Sequence, residues 1–328
     1  MLQHKLVKTV CICILDSVAE RITMEGDILG NIREVINEKQ LLFDEPMSSH
    51  TTFRVGGPAD VLVKPGSISE IEQVLQWCGE HAVPYYIVGN GSNLLVGDSG
   101  VRGVVIQIGN DFSEIEVGDD DTIWVQAGCM LSKVANVAME HALTGLEFAS
   151  GIPGTIGGAV RMNAGAYGGE MKDIIDCVTL LTPAGEVLIL PQDQMEFEYR
   201  DSIVAKQNYI VLEVKLRLQK GEPKKIAARM KELNEARREK QPLEFPSAGS
   251  TFKRPEGQFA GKLIMDAGLA GYRVGDAQVS EKHCGFVINR GHATAKDIVM
   301  LMNDIVKQVE EKYQVILEPE VRKIGDFS

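Results

Sequence analysis

The sequence predicts an α+β protein assembled from several small mixed units. Short apolar runs of strand length alternate with segments whose apolar residues recur at helical spacing. Two glycine-rich stretches, at 88–96 and 145–169, interrupt that pattern where loops are expected. Lys220-Gly221-Glu222-Pro223 then separates these elements from a strongly charged helix and a third group of elements.

In residues 1–23, Lys5 and Lys8 precede a short apolar run, and Ser17-Val18-Ala19 faintly resembles a cleavage site. Asp16, Glu20 and Arg21 follow closely, so the expectation is an extension ahead of an equivalent start at Met24. Residues 25–46 read as a polar helix and an approach segment. Val61-Leu62-Val63 is a short strand. Ser69 with Glu72 has capping-box spacing, and Ile71, Val74, Leu75 and Cys78 form a helix face. Strands at Tyr85–Val88 and Val104–Ile108 complete a unit that ends near Gly109.

The second unit opens with strands at Ile115–Val117 and Thr122–Val125 and a helix from Leu131 that presents Val134, Ala135 and Ala138. Strands at Ile174–Leu181 and Val187–Leu190 flank the turn Pro183-Ala184-Gly185-Glu186. Ile210, Leu212, Val214, Leu216 and Leu218 alternate with Glu213, Lys215 and Arg217, the pattern of a half-buried strand. In the third unit, Pro223 starts a helix carrying Ile226, Met230 and Leu233. A helix around Phe259–Ala267 and a strand at Phe286–Ile288 follow. Thr294 caps a last helix whose core face is Ile298, Leu301, Met302, Ile305 and Val309, and Val315–Leu317 reads as a final strand.

The 328 residues suffice for two or three such units, and no apolar stretch approaches the length of a membrane helix. The net charge of −12 argues against a nucleic-acid partner. It also means that an anionic ligand must rely on local cations, for which Arg54, Arg161, Arg200, Lys253, Arg254, Lys262, Arg273 and Arg322 are candidates. The six cysteines include no CxxC pair and no neighbouring histidine cluster, so neither a metal site nor a disulfide framework is expected. Cys11 and Cys13 share a face if extended, but two thiols do not make a site. Reduced thiols of a cytoplasmic protein are the default.

The stretch 145–169, GLEFASGIPGTIGGAVRMNAGAYGG, holds eight glycines. Glycine permits φ > 0 and close backbone approach, and successive exposed amides form an anion site. A flexible linker would be polar. This stretch carries Ile152, Pro153, Ile156, Val160 and Met162, so a packed ligand loop is expected. The other stretch, Val88-Gly89-Asn90-Gly91-Ser92-Asn93, follows a strand. Neither fits a P-loop or a dinucleotide GxGxxG helix opening, which leaves two separate loops around one ligand.

Three further places could carry chemistry. Tyr199-Arg200-Asp201-Ser202, on its residues alone, is a surface loop with a weak Arg–Asp pair; its alternative is a guanidinium fork for a carboxylate. Ala248-Gly249-Ser250-Thr251 sets a hydroxyl at the crest of a turn, without the GxSxG context of a hydrolase nucleophile. Glu318, Glu320 and Arg322 alternate along an extended segment, and spacing does not choose between the glutamates.

GNGSNLLV and SGIPGTIGGAVRMNAGAYGGE, with EYRDSIV (198–204), AGSTFKRP (248–255) and LEPEVRKIG (317–325), resemble the UDP-N-acetylenolpyruvoylglucosamine reductase family in order from about His50 to Gly325. The resemblance implies two flavin subdomains of the vanillyl-alcohol-oxidase (PCMH) type and a smaller αβ substrate domain that closes over substrate. It divides the chain into an extension and helix (1–46), flavin subdomains at 47–109 and 110–220, a substrate domain (221–319) and a tail returning to the active site (320–328). It implies non-covalent FAD, since no histidine lies in either glycine loop, with NADPH as hydride donor and UDP-N-acetylglucosamine enolpyruvate as substrate. Arg200, Ser250 and Glu320 fall on the family's catalytic positions: Arg200 on its catalytic arginine, Glu320 stabilising or protonating an enol, Ser250 donating a proton. Cofactor contacts are implied for Val88, Gly89, Asn90, Gly91, Ser92, Asn93, Gly151, Ile152, Pro153, Gly154, Thr155, Gly158, Ala159, Asn163, Gly165 and Arg322. Substrate contacts are implied for Tyr167, Lys240, Arg254 and Gln278, and no metal is implied. Some members carry Asn at the place of Arg254. The short interval from Arg200 to Ser250 matches the subclass without a tyrosine-bearing loop.

Overall fold

The computed structural model describes residues 29–328. The extension, the start at Met24 and the Cys11–Cys13 pair lie outside them. The first sheet has the order β1-β2-β5-β3, with β1 at Leu41–Pro46, β2 at Pro58–Val63, β3 at Tyr85–Val88 and β5 at Val101–Gln107. β1 runs antiparallel to β2, while β2 and β3 run parallel to β5. Parallel strands are covered on both faces, which is why these runs are almost wholly apolar. Val61, Val63, Val104 and Ile106 pack under helix α1 (Ile68–Glu80), and Leu62 and Val105 pack on the opposite side with Met47 and Val96.

Three expectations need correction here. Leu41–Pro46 is a strand, and the helical turn before it, Leu29–Glu34, is 3-10. Helix α1 is capped by Ser67, not by Ser69 with Glu72. Ser67 is extended and its side chain accepts from Glu70 N–H, while the Glu70 carboxylate accepts from Gly66 N–H and Gln40. Val315–Leu317 forms no strand, because Gln314 ends the last helix in the left-handed region and Pro319 lacks the N–H a ladder requires.

The second sheet is antiparallel with order β12-β11-β13-β7-β6, comprising β6 (Ile115–Val117), β7 (Thr122–Gln126), β11 (Ile175–Leu181), β12 (Val187–Pro191) and β13 (Ile210–Arg217). Between β7 and β11 the chain forms α2 (Leu131–Glu140), the short β8 (Leu143–Thr144), α3 (Ile156–Arg161), and the pair β9 (Gly165–Ala166) and β10 (Gly169–Glu170). The short α4 (Ile203–Lys206) precedes β13, and β14 (Gln219–Lys220) pairs with β8. The alternation along β13 is as the sequence reads: Ile210, Leu212, Val214, Leu216 and Leu218 are all buried.

The remaining elements are α5 (Pro223–Lys240), α6 (Ala260–Asp266), the antiparallel strands β15 (Arg273–Val274), β16 (Ala277–Val279) and β17 (Val287–Asn289), and α7 (Ala295–Tyr313). Thr294 caps α7 in a full capping box with Asp297. This group is keyed to the first sheet's neighbourhood. Its core includes Phe53, Val55 and Leu95, Asn289 donates to the Phe53 carbonyl at 3.1 Å, and the Asp98 carboxylate accepts from Ala295 and Lys296 at 2.7 and 2.9 Å. The chain end returns as β18 (Arg322–Ile324), parallel to β4 (Leu94–Val96) beside the first glycine loop, with Arg322 opposite Leu94. The architecture is α+β. Among the described residues no helix is long and apolar enough to cross a membrane.

Candidate active site

The first glycine loop leaves β3 and the second leads into α3, and the two meet directly. Asn90 Nδ2 donates to the Pro153 carbonyl at 2.7 Å, and a Cβ on Gly89 would overlap Thr155 Oγ1. Thr155 itself caps α3. Gly91 sits at φ +62°, and a side chain there would run into the His50 carbonyl. Behind this loop, His50 bridges Glu45 Oε1 (2.8 Å) and Gln107 Oε1 (3.0 Å), and Gln107 Nε2 donates to the Gly89 carbonyl (3.3 Å). Beside the loops lies a cleft of about 860 Å³. The amide N–H groups of residues 89–93 border it and donate to no acceptor among the described residues. Successive free amides of this kind form an anion-binding concavity.

The cleft reverses the sign of the molecule. Its lining includes Arg161, Arg200, Lys206, Lys253, Arg322 and Lys323, against the single carboxylate of Glu320. Desolvation pushes the Arg161 guanidinium below its usual pKa and the charge of Arg322 adds to the shift, a strain that a bound anion relieves. These local cations answer the problem posed by the net charge of −12.

Arg200 stands on a tight turn closed by the Glu198–Asp201 bridge, with its backbone at φ +58°. Its Nε donates to Glu320 Oε1 at 2.9 Å and its terminal nitrogen to the Gly165 carbonyl at 3.3 Å. The weak Arg–Asp surface pair is therefore not what forms; the partner is a carboxylate 120 residues away. The Glu320 side chain is only 10% exposed. Burial raises its pKa above the usual carboxylate value, opposed first by Arg200. Glu318, by contrast, is 72% exposed at its side chain and pairs with Lys253 at 3.3 Å.

Ser250 is exposed at the crest of its turn, after Gly249 at φ +76°, and does not line the cleft. The next residue ties the turn to the site. Thr251 is fully buried, its carbonyl accepts from Glu320 N–H at 2.8 Å, and its Oγ1 accepts from Val287 N–H at 2.9 Å.

Of the expected cofactor contacts, Val88 through Asn93, Ile152, Gly154, Thr155, Gly158, Ala159 and Arg322 line the cleft. Gly151, Pro153, Asn163 and Gly165 stand behind it. Gly151 packs against Asn234 and Arg237, and Asn163 is fully buried. The four expected substrate contacts also lie off the lining. Tyr167 is 41% exposed, Lys240 is exposed at the end of α5, the Arg254 guanidinium stacks 4.5 Å over Phe259, and Gln278 Nε2 donates to the Gly271 carbonyl at 3.1 Å. Sequence reasoning missed the wall formed by Lys206–Val211, legible only as a strand entry, and the His50 buttress. It also missed Arg237, which donates to the Gly151 carbonyl at 2.6 Å and whose Nε is buried without a partner. Among the described residues no group of His, Cys, Asp and Glu could hold a metal ion.

Comparison with known proteins assigns two segments of the chain to known families. Residues 58–190 match the family "FAD binding domain", and residues 241–324 match "UDP-N-acetylenolpyruvoylglucosamine reductase, C-terminal domain". The chain is 52% identical over 315 residues to the UDP-N-acetylenolpyruvoylglucosamine reductase of Agathobacter rectalis, covering 93% of this chain and 100% of that protein. It is 50% identical over 306 residues to that of Lachnoclostridium phytofermentans, covering 92% and 99%. The crystal structure of UDP-N-acetylenolpyruvylglucosamine reductase from Thermus caldophilus superposes with a TM-score of 0.74 at 37% identity, covering 87% of this chain and 98% of that one. The chain belongs to the UDP-N-acetylenolpyruvoylglucosamine reductase family and is an FAD-binding oxidoreductase.

Proposed function

We propose that the protein reduces UDP-N-acetylglucosamine enolpyruvate to UDP-N-acetylmuramate with NADPH as hydride donor, a cytoplasmic step in peptidoglycan precursor synthesis. The observation that carries this is the Arg200–Glu320 pair (2.9 Å) opening on the same cleft as the free amides of residues 89–93. That cleft fits FAD. Its amides and cations suit a diphosphate, and a Cβ on Gly154 or Gly158 would meet nothing closer than 3.5 Å, so both glycines leave room for a ligand. FAD, when bound there without a covalent bond, supplies the hydride it has taken from NADPH.

The chain's own residues do the rest. Arg200 attracts and orients the substrate carboxylate through a fork suited to two parallel hydrogen bonds, while Arg322, on the cleft wall, supplies positive charge beside the flavin. Glu320, with its raised pKa, holds a proton more readily than an ordinary carboxyl and stabilises the enol that hydride addition creates. Ser250, one residue from the Thr251–Glu320 backbone bond, delivers the proton to the carbon beside the carboxylate. Substrate-diphosphate and sugar contacts fall to Lys240, Gln278, Tyr167 and Arg254, which lie outside the cleft lining.

The test is an anaerobic titration. NADPH should bleach the flavin absorbance, and the enolpyruvyl substrate, added without oxygen, should restore it. Rapid recovery with oxygen alone and none with the substrate would indicate an oxidase on the same scaffold.

A further inference from the structure

Arg200 holds an unfavourable left-handed backbone, so something must hold the turn that carries it. Two buried side chains do so. Asn163, 0% exposed, donates both amide hydrogens, one to the Glu198 carbonyl at 3.1 Å and one to Glu170 Oε2 at 2.6 Å. Its Oδ1 accepts from Lys172 N–H at 3.0 Å. Ser202, also 0% exposed, donates to the Arg161 carbonyl at 2.8 Å. Glu198 and Ser202 bracket the Tyr199–Arg200–Asp201 turn, so the turn is pinned at both ends to the segment that leaves α3.

The bonding capacity of Asn163 decides its role. An amide side chain has two donor hydrogens, and both are used on protein acceptors. No donor remains for a ligand, and the side chain does not line the cleft. We infer that Asn163 is a positioning residue for Arg200 and not a flavin contact, and that Ser202 is its counterpart at the other end of the turn. The pair acts through Arg200, and the inference rests on the proposed role of Arg200 in the substrate half of the reaction. Asparagine suits the position because its backbone is itself at φ +42°.

The test uses Asn163→Gly, which tolerates positive φ and removes the amide, and Ser202→Ala, which removes the other anchor without touching the loop backbone. Flavin content and the rates of NADPH-driven flavin reduction and of anaerobic reoxidation by the enolpyruvyl substrate are measured on each holoenzyme. The expected result is wild-type flavin content and reduction rate, with reoxidation slowed by up to about 10²-fold, the scale of a misplaced reacting group. In an Arg200→Met background neither substitution should slow reoxidation much further, because the residues act as one unit. Loss of flavin from a folded Asn163→Gly protein would make Asn163 a cofactor contact and overturn the inference. Should Asn163→Gly fail to fold, Ser202→Ala decides, and unchanged reoxidation in it overturns the inference. A wild-type protein that the substrate does not reoxidise would instead overturn the functional reading and this inference with it.

Discussion

Arg200→Met removes the guanidinium that donates to Glu320 Oε1 at 2.9 Å while keeping an unbranched side chain. The two side chains are 22% and 10% exposed, so the variant leaves a buried carboxylate without its donor. One-sided loss of a buried pair costs about 3–5 kcal/mol if the charge persists. Glu320 can instead take up a proton. From the ordinary value of 4.5, protonation costs about 3.4 kcal/mol at pH 7 and about 2 kcal/mol at pH 6. Burial has already raised that pKa, so the penalty at pH 7 should stay below the figure of about 3.4 kcal/mol. A carboxyl whose folded pKa exceeds its unfolded one gives stability that is full below the unfolded value and lost as pH rises through the folded value. Removing Arg200 raises the folded value further, because its charge is the first influence opposing burial. Urea unfolding of wild type and variant at equal flavin content should therefore show a difference that is smallest below the ordinary carboxylate value of 4.5 and grows as pH rises above it. Its slope should not exceed about 1.4 kcal/mol per pH unit, the limit for one proton. A penalty flat with pH would mean that Arg200 does not govern the ionisation of Glu320.

Four other substitutions test separate parts of the site. Ser250→Ala should leave reduction of the flavin by NADPH near normal and slow reoxidation by substrate by roughly 10²–10⁴-fold, as for a lost general acid; equal slowing of both halves in stopped-flow traces would speak against a proton-donor role. Glu320→Gln should slow reoxidation, whereas Glu318→Gln, at a side chain 72% exposed, should not change turnover; the opposite result would reassign the carboxylate. Gly89→Ala should push the two glycine loops apart at Thr155 Oγ1, lowering flavin content and costing about 1–3 kcal/mol in unfolding; a fully yellow, equally stable variant would contradict the loop contact.

What the sequence made legible follows from the range of the forces involved. β13 and α7 declare themselves through one-sided apolar periodicity and a capping box, both local signals, and the structure forms them as read. The Ser67 cap was misplaced by two residues because Ser69 and Glu72 repeat the same spacing, and only the bond from Glu70 N–H separates them. The glycine loops were recognisable as packed loops from composition, but their interlock through Asn90 and Pro153 spans 63 residues and leaves no local trace. The choice between Glu318 and Glu320 was equally hidden. Alternation places both on one face of a straight strand, and the segment is not one; the bond from Glu320 N–H to Thr251 turns one carboxylate inward. Asn163 lies in the second glycine loop yet is buried away from the cleft lining, a placement set by contacts to Glu170 and Glu198 that the motif does not reveal.

The proposed cofactor site requires that the free amides of residues 89–93 hold an anionic part of FAD. Hydrogen–deuterium exchange of the flavin-free protein, with and without added FAD, measures those amides directly. The prediction is that exchange across 89–93 slows strongly on FAD addition, together with the 152–159 segment facing it, while β12 at the sheet edge is unaffected. Unchanged exchange at 89–93 in a protein that has bound FAD stoichiometrically would show that these amides do not hold the cofactor.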